Sequence, residues 1–451
     1  MNFFNRPLST TPYSQNPMSF LDPDVRHWMQ TITEIHLIEN ADVPARVNWQ
    51  NTQLTNLLRH AVKKSKFWQT RIPSRTPNSH ILKLVPPLTR DELRTQIETE
   101  GPLLVNKNGE PTQSYSTTGS TGTPIKVYVT SFNGQYNQYR SLAEYFIHDR
   151  PLDKNRLQVD NWDYDLAKMK VEHRNVWAGP LASLFKNGNA KKIIIPKDGG
   201  DLLAEISKSP IGYLRCSNKV METILGFGGT ELLQKLEMYA WIHLSDDRDP
   251  QIVDTLKNAG IPSISNYSSG EVGWIASECP TTQNYFHVTT SNVVVEEDKE
   301  VTVQYQGQEL SRLLITHLHS YATPIIRYDV GDFGKLHQQC ACGHTGPTLS
   351  HIYGRKKNFL KTRDGRHIPF FGRGHEVMRG IPFRDCRITQ MDFDHVRFEL
   401  ACENVLPSET IEIIRTRLLF LMGSDFNIEI DQVASINWSD NRKKLFFSSR
   451  V

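Results

Sequence analysis

The alternation of strand-like and helix-like segments between residues 125 and 259 constrains the fold of this 451-residue chain more than any other feature. Residues 125–130 alternate apolar and polar positions as a strand does, and residues 133–146 have helical spacing. Strand-like runs at 192–195 and 240–244 are each followed by a helical segment. Because strands that alternate with helices form a parallel sheet covered by helices, the sequence predicts an α/β core.

From Ser291 onward the pattern becomes β-rich. Residues 292–296 and 301–305 are predicted to form two strands joined by an acidic turn at 297–299, followed by a strand at 312–316. The last segment combines strand-like residues 396–400 with a long helix around 409–421. We therefore expect an extended leader at 1–24, a large domain at 25–355 with parallel-sheet subdomains plus a β-rich subdomain, and a small α+β domain at 356–451.

Composition favours a soluble enzyme. Hydrophobic residues make up 38% of the chain and charged residues 22%, and no apolar run approaches the about eighteen residues of a membrane span. The start lacks the apolar core of a secretory signal, so we predict a cytoplasmic protein with no membrane partner. A dispersed net charge of +3 argues against nucleic acid, although the basic cluster at 442–444 keeps it as a minor alternative. Six cysteines in so long a chain do not indicate a disulfide scaffold.

A run of small hydroxyl residues and glycines follows Tyr115. Glycines let backbone N–H groups turn towards an anion, and hydroxyl groups can donate to phosphate oxygens. It is not a Walker loop, because Gly122 is followed by Thr-Pro and not by Lys and Ser or Thr. On composition alone, such a loop is more often a surface turn than a nucleotide site. The predicted phosphate-binding residues are Ser116, Thr117, Thr118, Gly119, Ser120, Thr121 and Gly122.

Three later segments decide between these interpretations. They are NYSSGE at 266–271, RYDVGD at 327–332 and YGR at 353–355. Together with the loop they resemble the adenylate-forming superfamily, and residues 269–279, 324–332 and 340–343 resemble its phenylacetate-CoA ligase branch. The resemblance runs from the helix near Leu54 to the C-terminus.

The resemblance implies an ATP-dependent ligase with a large N-terminal adenylate-forming domain and a mobile C-terminal domain. Such an enzyme converts a small acid, aryl or otherwise, into acyl-AMP and then into a thioester of coenzyme A. Two alternatives stay open: transfer of the acyl group to an amine or a carrier protein, and a degenerate ATP-binding protein without turnover. A homodimer is compatible with this prediction.

Several residue roles follow from the resemblance. Glu271 would bind Mg²⁺, whereas a solvated loop glutamate is the alternative. Tyr267, flanked by Asn266 and Ser268, would stack on adenine. Asp332 would accept hydrogen bonds from the ribose hydroxyls, with Gly331 allowing close approach, unless it is a simple β-turn aspartate.

The remaining nucleotide contacts are assigned in the same way. Arg355 would reach ribose or phosphate, and Arg327 is expected to orient its own loop by pairing with carboxylate or backbone groups. Ser245, Asp246 and Asp247 lie where the family contacts the base, although the two aspartates could instead cap the helix that begins at Pro250. Lys443 or Lys444 would lie over the α-phosphate; because the family's glycine before this lysine is missing, a solvated basic tail is the alternative.

Four residues have the ligand types of a structural zinc site. Cys279, His287, Cys340 and Cys342 could close a tetrahedral set, with His344 in reserve. Reduced thiols are the alternative. The acid pocket is predicted near Trp162, Tyr164 and residues 177–180, although such aromatics also occur in cores.

Overall fold

The computed structural model describes most of the chain, and every structural statement below concerns these residues. They are residues 21–105, 113–117, 125–163, 168–196, 201–244, 248–305, 307–353, 359–364, 367–369, 377–378, 380–383, 385–402, 404–423, 426–436 and 447–451. The chain divides into two compact units: the first consists of Met1–Ala41 and Gln135–Tyr267, and the second of Asp42–Gly134 and Ser268–Val451.

The helices begin where capping residues predict. Asp22 and Asp42 each accept a hydrogen bond from a backbone amide and are followed by proline in the first turn, and Thr89 and Glu92 form a capping box. Short 3₁₀ helices occupy Ser79–Leu84 and Gly179–Ser183. The α-helices are α1 (Pro23–Glu39), α2 (Val43–Lys64), α3 (Lys66–Arg71), α4 (Arg90–Glu100), α5 (Ser131–Ile147), α6 (Leu202–Ile206), α7 (Asn218–Lys235), α8 (Pro250–Asn258) and α9 (Ser408–Met422).

The strands fall into several sheets. In chain order they are β1 (Gln113–Thr117), β2 (Ile125–Val129), β3 (Arg156–Asp163), β4 (Lys170–Arg174), β5 (Ala190–Pro196), β6 (Tyr213–Cys216), β7 (Ala240–His243), β8 (Ser263–Ile264), β9 (Asn266–Ser269), β10 (Gly273–Glu278), β11 (Tyr285–Val288), β12 (Val293–Tyr305), β13 (Gln308–His317), β14 (Tyr328–His337), β15 (Thr348–Tyr353), β16 (Phe359–Lys361), β17 (His367–Pro369), β18 (Asp385–Gln390), β19 (His395–Ala401), β20 (Asn427–Val433) and β21 (Phe447–Ser449).

The first unit contains the predicted parallel sheet. Its six strands are ordered β4-β5-β3-β6-β7-β8, and only the edge strand β4 pairs antiparallel. One face packs Ile193, Leu214 and Trp241 into a core that also contains Ile224 of α7 and Leu256 of α8. The predicted α/β fold class is confirmed, because the strand–helix alternation of the sequence builds this sheet.

The second unit contains a seven-stranded sheet of order β12-β13-β14-β15-β11-β10-β9. The acidic turn predicted at 297–299 is wrong, since these residues lie within the single strand β12. Residues on both sides of them pair with β13, and the register shifts between Asp298 and Thr302. A β-bulge absorbs the extra residues without reversing the chain, and the hairpin turn comes after Tyr305 instead.

The C-terminal part has the α+β arrangement that the sequence predicts. Strands β20, β19, β18 and β21 form one sheet, with parallel pairing at both edges. Ile414, Leu418 and Met422 of α9 share a buried cluster with Ile388 and Phe398 of the sheet. The predicted domain boundaries at 24/25 and 355/356 stay predictions, and the second falls outside the described residues. Among the described helices, none is both long and apolar enough to cross a membrane.

Candidate active site

Glu271 lies in the turn between β9 and β10, where it forms an ion pair with Arg90. Arg90 is the first residue of α4, and the capping box fixes the start of this helix. The Glu271 side chain is only 9% exposed. It is therefore not the solvated loop glutamate of the alternative interpretation.

Tyr328 completes this cluster. Burial raises the pKa of its phenol, the Glu271 carboxylate raises it further, and a hydrogen bond with Arg90 opposes both effects. The backbone reinforces the contact, because the Leu88 amide donates to the Arg327 carbonyl (2.8 Å) and the Asp329 amide donates to the Leu88 carbonyl (2.9 Å). Leu88, just before α4, and Arg90, its first residue, thus connect Glu271 of the NYSSGE motif with the RYDVGD motif.

The sequence motifs do not include Arg90, although one signal in the sequence points to it. Thr89 and Glu92 have the spacing of a capping box, which places Arg90 in the first helical turn. A cation there opposes the helix dipole, so it needs an anionic partner elsewhere. Glu271 is that partner.

Asp332 lies in an irregular part of β14. Five positions of β14, from Asp329 to Phe333, face three positions of β13, from Leu314 to Arg312, so the strand bulges at this point. Gly331 has φ +86°, and its amide donates to Asp329 Oδ1 at 2.9 Å. Asp332 is therefore part of a β-bulge, a feature that re-aims side chains, and not of a β-turn. Its ribose role stays a prediction.

Arg327 has the orienting role that the sequence predicts. Its guanidinium donates to Glu296 Oε2 (3.1 Å) and to the carbonyls of Val85 (2.5 Å) and Lys83 (3.3 Å). Its amide donates to Thr316 Oγ1 at 2.9 Å. These contacts confirm that Arg327 holds its own loop in place by pairing with carboxylate and backbone groups.

Arg312 supports the bulge from the neighbouring strand. Its guanidinium pairs with Asp298 on β12 and with Asp329 on β14, the second at 3.2 Å. Burial alone would raise the pKa of Asp298, but hydrogen bonds from Arg312 and the Glu300 amide outweigh burial and lower it. The ion pairs thus bind three strands together beside Asp332.

The predicted adenine segment lies on β9. Asn266 and Tyr267 are half-buried, and Ser268 is exposed. The Oδ1 atom of Asn266 is buried and accepts no hydrogen bond within the described structure. It is therefore an available acceptor beside the predicted adenine-stacking tyrosine.

Much of the predicted phosphate site falls outside the described residues. Ser116 and Thr117 end β1, where they pair with Lys126 and Ile125 of β2. The predicted site residues outside the described part are Thr118, Gly119, Ser120, Thr121, Gly122, Ser245, Asp246, Asp247, Arg355, Lys443 and Lys444. Their roles stay predictions.

Part of the predicted acid pocket lies within the described residues. Trp177 packs against Tyr145 (centroids 4.8 Å apart), and its Nε1 donates to the Lys154 carbonyl at 2.9 Å. Ala178 is fully buried in the same apolar cluster. These two residues belong to the core, which is the alternative that the sequence left open. The Trp162 side chain and Tyr164 lie outside the described part.

The predicted metal ligands come together in the second unit. The ligand atoms of Cys279, His287, Cys340 and Cys342 all lie within 4.8 Å of one another. Cys279 follows β10, His287 lies on β11, and the other two precede β15. Amides of Thr282 (3.2 Å) and His344 (3.4 Å) donate to Cys279 Sγ and Cys342 Sγ. The reserve ligand His344 stacks on His287, with ring centroids 4.2 Å apart.

The distances fit a tetrahedral ion. Two sulfurs bound to one zinc at about 2.3 Å lie about 3.8 Å apart, and a sulfur and a nitrogen about 3.5 Å apart. Cys279 Sγ and Cys340 Sγ are 3.8 Å apart, and Cys342 Sγ and His287 Nε2 are 3.4 Å apart. The four donor types and these two distances are compatible with a zinc ion held by four protein ligands.

Comparison with known proteins identifies the fold. No protein-family model and no curated protein sequence matches the chain. 2-Hydroxyisobutyryl-CoA ligase in its postadenylation state with 2-HIB-AMP is 16% identical, with TM-score 0.65, covering 92% of this chain and 91% of that one. The same ligase with 2-HIB-AMP and CoA in the thioesterification state gives 15%, TM-score 0.56 and coverage of 92% and 92%.

A second kind of ligase matches as well. The GH3.15 acyl acid amido synthetase is 12% identical, with TM-score 0.57, covering 96% of this chain and 94% of that one. At these identities the similarity establishes the fold alone. The chain thus has the fold of these adenylate-forming ligases, while the phenylacetate-CoA ligase-like branch stays a prediction.

The Asp298–Arg312 ion pair predicts a pH dependence of stability. The folded-state pKa of Asp298 lies below the unfolded value of about 3.9, so its stabilisation is complete above the unfolded pKa and is lost as pH falls through the folded pKa. Asp298→Asn should lower the free energy of unfolding at pH 7 by about 1–3 kcal/mol and flatten its decline between about pH 5 and about pH 3. Urea titrations at several pH values measure both effects.

Asp254→Asn on the exposed face of α8 is the matched control. It should leave the pH dependence unchanged. If the free energy of unfolding followed parallel pH curves in the wild type and Asp298→Asn, the stabilising role of the Asp298–Arg312 ion pair would be contradicted.

Proposed function

We propose that the chain activates a small carboxylic acid with ATP to give acyl-AMP and pyrophosphate, and then transfers the acyl group to coenzyme A. The observation that carries the proposal is the convergence of Glu271 and the RYDVGD strand on Arg90. This cluster occurs in a fold shared with a CoA ligase whose structures contain an acyl-AMP, alone and with CoA.

Adenylation requires negative charge to be neutralised while the acid attacks the α-phosphate and pyrophosphate leaves. Mg²⁺, when bound, supplies part of that neutralisation, and Glu271 is its proposed ligand. Arg90 contacts Oε1 of Glu271, which orients the carboxylate and leaves its second oxygen for the ion. The hydroxyls and amides of residues 116–122 are proposed to hold the phosphates.

The nucleoside contacts are proposed on the strands beside Glu271. Asp332, presented by the bulge at Gly331, would accept hydrogen bonds from both ribose hydroxyls. Tyr267 would stack on adenine, and the buried Oδ1 of Asn266 would accept from its amino group. Arg355 and residues 245–247 are the further proposed contacts with ribose or phosphate and with the base.

The identity of the acyl acceptor is less constrained than the adenylation step. The similarity to an acyl acid amido synthetase favours transfer to an amine as the second candidate. Both reactions begin from the same acyl-AMP. The two are separated by supplying CoA or an amine to the preformed acyl-AMP and identifying the product.

Glu271→Gln should lower acid-dependent ATP–pyrophosphate exchange by about 100-fold or more, because the neutral amide is a weaker ligand for the proposed Mg²⁺. Exchange measured across aryl, branched and straight-chain acids would also identify the preferred substrate. Glu309→Gln, at an exposed position of β13, is the control and should retain full exchange. Equal activity of the wild type and Glu271→Gln would contradict the assignment.

The two C-terminal lysines can be separated by single substitutions. If Lys443 or Lys444 lies over the α-phosphate, its alanine variant should lose about 100-fold of adenylation and keep ATP binding and thioester formation from supplied acyl-AMP. Pyrophosphate exchange, calorimetric ATP binding and product analysis measure the three steps. Full adenylation by the double variant would support the basic-tail alternative. ATP binding without exchange by the wild type would favour a degenerate protein.

We also propose that Cys279, His287, Cys340 and Cys342 bind a structural zinc ion that joins β10, β11 and the loop before β15. Elemental analysis of the purified protein should find about one zinc per chain, and Cys342→Ser should lower that content and the melting temperature. Cys402→Ser, outside the cluster, should change neither by a comparable amount. Metal-free protein in which the three cluster thiols react freely would support the reduced-thiol alternative.

A further inference from the structure

The backbone beside Asp332 leaves the regular pairing of the sheet. Residues 330–332 stand opposite the single residue Leu313 of β13, and the pairing of β14 with β15 begins only at Phe333. Gly331, in the middle of the three, has a left-handed φ of +86°. Because a glycine loses much conformational freedom on folding, this backbone needs contacts that hold it in one conformation.

The side chain of Asp329 supplies such a contact. Its Oδ1 accepts a hydrogen bond from the Gly331 amide at 2.9 Å, and its Oδ2 accepts one from Arg312 Nη1 at 3.2 Å. One oxygen thus holds the bulge, while the other holds the carboxylate itself. An ionised carboxylate suits both tasks because it only accepts, whereas a side-chain amide would direct an N–H group at one of the two donors.

Asp329 is itself fixed in place by contacts with three other segments. Its amide donates to the Leu88 carbonyl at 2.9 Å, and its register partner Leu314 is fully buried. Arg312 Nε also donates to Asp298 Oδ2 at 3.1 Å. Burial would lower the pKa of Arg312, but the hydrogen bond from Asp298 and the charge of Asp329 outweigh burial and raise it. Arg312 therefore stays charged and keeps Asp329 in position.

These contacts form a continuous path to Asp332 within the second unit. Asp298 holds Arg312, Arg312 holds Asp329, and Asp329 holds the amide of Gly331, the residue directly before Asp332. A change at Asp329 would therefore free the bulge at the point from which the Asp332 side chain starts.

Resting on the function proposed above, we propose that Asp329 is a positioning residue for ribose recognition. It holds the Gly331 amide so that the Asp332 carboxylate meets both ribose hydroxyls, and it acts through Asp332 and not by contact with the nucleotide. Without Asp329 the bulge would sample several conformations, and part of the free energy of ATP binding would be used to order it.

The test compares ATP with 2′,3′-dideoxy-ATP, which lacks both hydroxyls, in calorimetric binding to the full-length protein without acid. The wild type should bind dideoxy-ATP about 10–100-fold more weakly, because it loses hydrogen bonds to a charged acceptor. Asp329→Ala should raise the Kd of ATP about 5–30-fold and leave the Kd of dideoxy-ATP nearly unchanged, since only ATP depends on an ordered bulge. The ratio of the two Kd values should thus fall towards one.

Two further variants make the comparison specific. Asp329→Asn can still accept from the Gly331 amide but turns an N–H group towards Arg312, so its ratio should lie between those of the wild type and Asp329→Ala. Asp392→Ala is the matched control, because Asp392 Oδ1 accepts from the amide two residues later, that of Asp394, at 2.9 Å on an exposed turn. It should leave both Kd values unchanged.

Hydrogen exchange measures the bulge without any nucleotide. Peptides that contain Gly331 should exchange their amide protons faster in Asp329→Ala than in the wild type. Unchanged exchange would overturn the proposal, and so would an equal rise of both Kd values, which is the result that a merely structural role would give. If Asp329→Ala does not fold, Asp329→Asn provides the same comparisons.

Failure of the proposed ligase function is distinguishable from failure of this proposal. If no acid supports ATP–pyrophosphate exchange but Asp329→Ala loses the preference for ATP, the positioning role stands although the ligase function fails. If acids support exchange and Asp329→Ala keeps the wild-type ratio of Kd values, the ligase function stands and the positioning role is refuted. A wild type that does not bind ATP would refute both.

Discussion

The ion pair between Arg90 and Glu271 is the contact on which the candidate site depends. An arginine in the first turn of α4 opposes the helix dipole, and the carboxylate of Glu271 offsets that cost. The pair joins the β9–β10 turn to α4, and Tyr328 connects the same guanidinium to β14. Because each partner belongs to a different segment, displacing one would release Glu271 from the strand that presents Asp332.

The second constraint is the bulged path of β14. A regular strand would alternate side chains between the two faces, whereas the bulge at 330–332 inserts residues that need not follow that alternation. Gly331 adopts the positive φ that the bulge requires, and Arg312 and Arg327 hold the neighbouring backbone through carboxylates on β12. The RYDVGD sequence is thus a folding signal as well as a set of proposed ligand contacts.

Patterns that depend on neighbouring residues were predictable from sequence, and contacts between distant residues were not. The strand–helix alternation of 125–259 predicted the parallel sheet, and the Cys and His residue types predicted the cluster at Cys279 and His287. The turn at 297–299 was predicted wrongly, because an acidic composition does not distinguish a turn from a bulge whose strand continues to pair with β13. Arg90 and Arg312 were missed because their partners are remote in sequence. The roles predicted for the phosphate loop, Arg355 and the C-terminal lysines stay predictions.

The arginines of the chain differ in how their charge is compensated. Arg140 pairs with Glu39 and Glu144 although it is fully buried, and Arg312 pairs with two aspartates, so each contributes to the fold without a ligand. Arg215 is half-buried, its Nη1 donates to Gln158 Oε1, and the charge of the neighbouring Arg156 lowers the Arg215 pKa further. Apolar residues of similar size would fill this position at lower cost.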